Sequence, residues 1–442
     1  MQMSVLEQVF LILNSSEINY CVVSNTSTLP EYCESDIDLI YAGASERDIS
    51  LLIKQIEDET GIVCLEKVTT GYEEYSFMFA IKKENSIEKI QLDFFKHLYH
   101  KEYGIILHGE RILAKRRREK CFFVPDDIDE LIYTVLRRAA KGRFETPHYQ
   151  LIQKLYQRAD THTIEIMRKQ SPRLWTIIEK VATGENVEKA DLAKCVRQAS
   201  CNTLGSRINV LLYKTFKYYP RRLLHPLGLS IAFLAPDGAG KTTIINSILE
   251  DSFFSNFFFK IDVKYFRPRL LKNLGHYNSL NPREESKNNT DPHNVVLNGR
   301  IKSFIRFSFY NLDFLLGNAL KIFPQKVKRN LVVFDRYYYD YFADMKRYQY
   351  NLPEWMPARF SCIIPKPDIV IILDAPPKVL YQRKQELTVE EIEEVSAKFR
   401  DNRRYYGNSH TINVNRPLDE IMNEIRLIVF DYLKDRVSRR GL

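Results

Sequence analysis

The sequence lacks any Cys-x-x-Cys pair. Its seven cysteines, Cys21, Cys33, Cys64, Cys121, Cys195, Cys201 and Cys362, are scattered and odd in number. That argues against a disulfide framework or a cysteine-built zinc site and fits a reducing cytoplasm. Long apolar runs are also missing. The most apolar stretch, Phe307 to Phe323, is interrupted by Asn311, Asp313 and Asn318, too short and too polar to span a bilayer, so a buried helix is expected there. The opening residues Met1 to Glu7 carry no basic n-region, and no secretory leader or transmembrane segment is expected. No internal repeat or low-complexity tract occurs, which excludes a repeat array.

What is present is a globular composition: 442 residues, 45% hydrophobic and 27% charged, enough for two or three domains. The net charge of +9 favours anionic partners such as nucleotides and phosphates. The densest basic run, Lys115-Arg116-Arg117-Arg118-Glu119-Lys120, is short and has no aromatic interleaving, so nucleic acid is disfavoured as a partner. The composition is compatible with a homodimer and does not demand one.

Three regions emerge. Residues 1–122 mix strands and helices, with strands expected at Tyr20 to Val23, Asp38 to Tyr41, Ser76 to Ile81 and Lys89 to Phe95. Residues 123–225 read as helical, starting at Pro125-Asp126-Asp127, where a proline and acids suit a helix N-terminus. Tyr218 to Arg222 and Pro226-Leu227-Gly228 read as a linker. Residues 226–442 alternate apolar strands (Leu229 to Leu234, Lys260 to Tyr265, Leu331 to Phe334, Ile369 to Leu373) with helical patterns. This is the signature of an α/β domain with a parallel sheet covered by helices on both faces.

The first of those strands runs into Ala235-Pro236-Asp237-Gly238-Ala239-Gly240-Lys241-Thr242-Thr243, which closes as a Walker A motif. Glycines let backbone N–H groups curl around phosphates, and the following helix N-terminus adds positive potential. Lys241 suits the β- and γ-phosphates, and the Thr242 hydroxyl suits Mg2+. The first motif glycine is replaced by Ala235. A methyl there is tolerated at negative φ and costs roughly 1 kcal/mol or more otherwise.

The run Asp237-Gly238-Ala239-Gly240-Lys241-Thr242-Thr243 resembles the loop of thymidylate kinases. Leu331-Val332-Val333-Phe334-Asp335-Arg336-Tyr337 and Leu373-Asp374-Ala375-Pro376-Pro377 resemble their later strands. The resemblance covers roughly residues 229–435 and implies a P-loop NTPase fold with ATP as phosphoryl donor. It further implies that Asp237 touches the acceptor, Asp335 steers Mg2+, and Arg336 holds the acceptor's phosphate. Arg383, with Lys384, would neutralise the transferring phosphoryl group, and Arg267 would lie in a substrate loop. Tyr337 to Tyr339 and Tyr341 fit either an acceptor wall or core packing. The polar segment Lys272 to Asn298 and the stretch Asp340 to Trp355 depart from the family's pattern, so the reaction class carries over better than dTMP as acceptor.

In the N-terminal region Asp36 and Asp38 stand two apart, on one face of an expected strand, and Asp93 lies on another. This order resembles the polymerase-β type of nucleotidyltransferase, which implies three carboxylates binding Mg2+. In place of that family's Gly-Gly or Gly-Ser stands Val23-Ser24-Asn25. Lys141 is a further candidate for a phosphate. The overall expectation is a Mg-ATP-dependent kinase acting on a nucleoside monophosphate or a related small phosphate- or sugar-bearing acceptor. A nucleotidyltransferase using Asp36, Asp38 and Asp93, with the P-loop half accessory, and a non-catalytic nucleotide-sensing module are the rivals.

Overall fold

The computed structural model describes residues 3–23, 26–33, 36–82, 87–100, 102–200, 204–271, 299–348 and 350–440. The Lys272 to Asn298 segment, Ser24, Asn25 and Cys201 lie outside them. The chain divides into two compact units, residues 1–220 with 433–442, and residues 221–432.

In the first unit, helix α1 (Val5–Ser15) starts at a capping box in which Ser4 and Glu7 satisfy each other's backbone N–H. Strands β1 (Asn19–Val22) and β2 (Ile37–Ala42), helix α2 (Glu46–Thr60) and strands β3 (Val63–Gly71), β4 (Glu74–Lys82) and β5 (Ile87–Phe95) follow. They form a mixed sheet in the order β1-β2-β5-β4-β3. Only β2 and β5 run parallel, with Asp38 directly beside Asp93. Period-2 alternation sends Leu39 and Tyr41 to one face, where they pack with Val9, Phe10, Ile49 and Ile53 of α1 and α2. Ile40 faces the other side, in a core completed by the helical region.

A hairpin of β6 (His97–His100) and β7 (Gly104–His108) leads into α3 (Gly109–Ala114). The short pair β8 (Arg117–Glu119) and β9 (Phe122–Val124) comes next. Helices α4 (Asp127–Lys141), α5 (Thr146–Arg158), α6 (Thr161–Gln170), α7 (Pro172–Ala182) and α8 (Lys189–Ala199) then supply Leu131, Val135, Ile152, Trp175 and Ile178 to that second core. The helical region therefore shares the sheet's own core.

The segment read as a linker is helical over much of its length. Helix α9 (Leu204–Tyr213) passes through a π turn, Lys214–Tyr218, into α10 (Tyr219–Leu224). Pro220 sits just after the wide turn, where the helical ladder is already disturbed and a missing N–H costs least. The same device recurs in the second unit. The helix Arg300–Gly317 continues through a π turn, Asn318–Ile322, immediately before Pro324. The expected buried helix is thus buried along one face only, by Phe307, Tyr310, Asn311, Asp313 and Phe314.

The second unit holds an all-parallel sheet of β10 (Leu229–Leu234), β11 (Ile261–Tyr265), β12 (Leu331–Asp335), β13 (Ile369–Asp374) and β14 (Ser409–Asn413). Its order is β11-β12-β10-β13-β14. Parallel strands buried on both faces read as continuous apolar runs, as β10 does with all six residues buried. Ala232, Leu234, Val332, Phe334, Val370 and Ile372 face an aromatic core with Phe307, Phe314 and Tyr337 to Tyr339. Their neighbours Ile231, Phe233, Val333 and Ile371 are also fully buried and point to the opposite face. Among the described residues no helix is long and apolar enough to cross a membrane, and the cysteines are free thiols.

Candidate functional site

Strand β10 lies at the centre of the parallel sheet, and chain connections leave to either side of it. In open α/β sheets the crevice for a ligand opens at the carboxyl ends of strands at such a reversal. The Ala235–Gly240 loop emerges there and enters helix α11 (Lys241–Glu250), which a short helix α12 (Ser252–Phe257) follows. Gly238 and Gly240 adopt φ of 85° and 75°, the left-handed region open to glycine. A Cβ on Gly238 would also lie 2.7 Å from the Leu380 carbonyl and 3.3 Å from the Lys384 Cβ. The loop is therefore pressed against the helix Pro377–Arg383. Ala235 is absent from the positive-φ residues, so its methyl group adds no backbone strain. Ala239 is buried, whereas the Thr242 and Thr243 side chains are exposed in the first turn of α11, where helical N–H groups have no intrahelical acceptor.

Lys241 opens α11 with its Nζ 3.6 Å from Asp335 Oδ1 and only 10% of its side chain exposed. Burial, reinforced by the positive charge of Arg336, lowers its pKa to about 8 despite nearby Asp340, Asp335 and Asp237. Asp335 ends β12, and its buried Oδ1 has no hydrogen-bond partner among the described residues. A cation with its water shell would satisfy that oxygen.

The residue after Asp335 reverses the chain. Arg336 holds φ at 71°, a left-handed conformation that costs an arginine on the order of 1–3 kcal/mol. The side chain over-determines it. Arg336 Nη1 donates to Asp340 at 2.8 Å and Nη2 to Asp237 at 2.6 Å, while the Tyr348 hydroxyl donates to Asp340 at 3.0 Å. Asp237 Oδ2 accepts from Arg347 at 2.7 Å, and Asp344 lies 3.8 Å from the same guanidinium. Burial alone would raise the Asp237 pKa, but Arg336 and Arg347 together hold it well below the usual carboxylate range. Burial likewise opposes the charge on Arg336, and Asp340 more than restores it. The loop and the end of β12 are thus joined by a two-arginine, three-aspartate network.

The structure brings Asp237, Lys241, Asp335 and Arg336 together. Arg347 was missed in the sequence; its signal is the Asp344-x-x-Arg347 spacing in a segment read only as unlike thymidylate kinases. Arg383 is exposed and donates to the Val414 carbonyl at 3.2 Å. Lys384 is the basic residue that packs against Gly238, and it pairs with Glu386 at 3.0 Å. Arg400, also missed, reaches Asp374 at the end of β13 at 2.8 Å. Arg267 is turned inward: it is 3% exposed, pairs with the fully buried Asp313, donates to the Leu271 carbonyl and lies over the Tyr310 ring at 4.9 Å. Tyr337 to Tyr339 and Tyr341 are each at most 2% exposed, which assigns these rings to core packing.

In the first unit Asp36 just precedes β2 and meets Lys89 at 3.3 Å. Asp38 is tied to Arg137 of α4 at 2.6 Å. Asp93 is pushed up to about 6, first by burial and then by Asp38 and Asp36, against hydrogen bonds from Ser76 and Gln91. Lys141 ends α4, exposed. Among the described residues, the trio whose potential ligand atoms all lie within 4.8 Å of one another is His97, His108 and Glu110, not these aspartates.

Neither a protein-family model nor a curated protein matches the sequence. Among solved structures, thymidylate kinase from Ehrlichia chaffeensis is similar at 16% identity and a TM-score of 0.31, over 46% of this chain and 99% of its own. At that identity and score the likeness carries no functional argument.

Proposed function

We propose that the second unit binds a magnesium-complexed nucleoside triphosphate, with ATP as donor. It transfers the γ-phosphate to a small acceptor that itself carries a phosphate or a sugar, a nucleoside monophosphate being the first candidate. The observation that carries this reading is Lys241. It is a nearly buried amine at a helix N-terminus, beside a glycine-shaped loop, with its pKa lowered by burial and by the charge of Arg336. A polyphosphate would add negative charge that favours the protonated amine.

Gly238 to Thr243 would wrap the phosphates through backbone N–H groups. Thr242 and Asp335 would hold Mg2+, which would supply charge neutralisation to the triphosphate when bound. Arg336 and Arg347 would orient the acceptor's anion, with Asp237 keeping both guanidiniums in place. Lys384, and Arg383 after the release of Val414, would reach the phosphoryl group from the helix Pro377–Arg383. Positioning and cationic stabilisation are what phosphoryl transfer requires of a protein.

Nucleotidyl transfer at the N-terminal carboxylates has one favouring observation, the adjacency of Asp38 and Asp93 on β2 and β5. The Arg137 and Lys89 pairs count against a metal there. Incubation with γ-labelled ATP and a panel of nucleoside monophosphates and sugar phosphates tests the proposal. Label entering an acceptor, and lost in Lys241→Ala, supports it. Transfer only from α-labelled ATP, lost in Asp36→Ala, refutes it, as does tight ATP binding with no turnover on any acceptor.

A further inference from the structure

We propose that His97, His108 and Glu110 form a binding site for a divalent d-block cation, zinc in the first instance. The site is separate from the P-loop and from Asp36, Asp38 and Asp93. His97 opens β6 and His108 closes β7, and the two are direct partners across this antiparallel hairpin. Their rings stand edge to face with centroids 5.0 Å apart. Glu110 follows in the first turn of α3 and brings one carboxylate oxygen 3.6 Å from His97 Nδ1 and 4.0 Å from His108 Nδ1.

The backbone holds this arrangement. Between the second histidine and the glutamate stands Gly109, where a Cβ would lie 2.2 Å from the Lys96 carbonyl and 2.8 Å from Ile40 Cγ2. Only glycine lets the chain pass so close to the end of β5, and this passage points His108 and Glu110 toward His97. The Gly109 N–H donates to His97 Nδ1 at 3.2 Å. That ring nitrogen is therefore unprotonated, and a cation binding it displaces this one backbone donor. Lys96, beside His97 in sequence, is engaged by Glu73 at 2.9 Å, and Arg111, beside Glu110, by Asp129 at 2.9 Å.

Two imidazoles and one carboxylate suit zinc, cobalt or nickel better than magnesium or calcium, which prefer all-oxygen sites. Ligand atoms around tetrahedral zinc stand roughly 3.3 Å apart, given metal–ligand bonds of about 2 Å. The observed separations need contractions of about 1.5 Å or less. His108 and Glu110, with side chains 49% and 59% exposed, are free to make them. Three protein ligands leave a fourth position for water or for a ligand group. Cysteine counting could not show this site, because its donors are histidine and glutamate.

The test uses the full-length chain, free of added metal, titrated with cobalt(II) and then zinc against a chromophoric chelator. The expected result is one equivalent of cobalt with visible bands of a nitrogen- and oxygen-ligated ion, displaced by zinc. Affinity should fall at least tenfold in His108→Ala and in Glu110→Gln, both surface changes that leave the fold intact by circular dichroism. Absence of a stoichiometric site, affinity unchanged in both variants, or near-ultraviolet thiolate-to-cobalt charge transfer would each overturn the proposal.

Discussion

Replacing Lys241 by methionine should make the nucleotide-free protein more stable while removing its affinity for nucleotide. The amine is lowered from 10.5 to about 8, chiefly by burial. The folded state therefore binds this proton less tightly than the unfolded chain. The difference corresponds to roughly 3 kcal/mol, already net of attraction to Asp340, Asp335 and Asp237. Below pH 8 that cost is fully present in the folded protein. Between pH 8 and 10.5 the unfolded state holds more protons, so stability rises with pH across this window as the cost is relieved.

A neutral side chain of similar length escapes the cost at every pH. Lys241→Met should unfold about 3 kcal/mol later than wild type at pH 7, in the denaturant transition of the second unit, and the gap should close between pH 8 and 10. Saturating Mg-ATP at a hundred times its dissociation constant should stabilise the wild type by about 2.7 kcal/mol and leave the variant unmoved. A variant no more stable than wild type at pH 7, or a gap that does not change with pH, would refute the idea that the folded protein bears the cost of a buried positive charge at Lys241.

Asp93→Asn should stabilise the first unit at neutral pH by about 2–3 kcal/mol, given a carboxyl pushed up to about 6 from 3.8. Wild-type stability should fall from pH 4 to 6, as the unfolded chain loses this proton first, and the variant should not follow in urea titrations across that range. Added Mg2+ raising the wild-type midpoint alone would show that Asp93 binds a cation. Asp313→Ala should destabilise the second unit by about 3–5 kcal/mol, because it strands the buried Arg267. It also frees the Arg269 and Leu271 N–H groups, and Arg267→Met with Asp313→Leu should recover much of the loss in guanidinium melts. Arg347→Met removes a charge-assisted contact, so kcat/KM for the acceptor should fall tenfold to a hundredfold. ATP affinity by calorimetry should change less than twofold.

Strands β10, β12 and β13 were legible because central parallel strands are apolar without interruption, and β10 coincides with the expected Leu229 to Leu234; the edge strand β14, polar and mostly unburied, was not. The loop was legible because Gly238 and Gly240 both hold a left-handed conformation that favours glycine. What stayed hidden depends on contacts between distant segments. Nothing in Arg267-Pro268-Arg269 announces that Asp313, 46 residues on, will draw Arg267 inward. Nothing near Asp340 announces that Arg347 folds back onto Asp237, 110 residues earlier. Strand β3 escaped because its alternation is blurred by Glu66 and Lys67 among buried neighbours and by register shifts against β4. The helix in the segment read as a linker was hidden because Pro220 stands just after a π turn, which the local sequence does not announce.

The tyrosines behind Arg336 determine which parts of the second unit can travel. Tyr337, Tyr338, Tyr339 and Tyr341 are anchored among Phe314, Phe307, Phe342 and Tyr406, and two of them also hold the Pro365 and Pro357 carbonyls. Shifting the arginine turn would unseat a whole layer of rings, and packed interiors resist that. On the function proposed above, the acceptor's anchor is therefore a fixed jaw. Any jaw that closes on the reactants has to be the opposite one, the stretch from Arg383 to Glu386, whose side chains lie at the surface. Turnover should then be governed by how quickly that basic segment swings in and lets go.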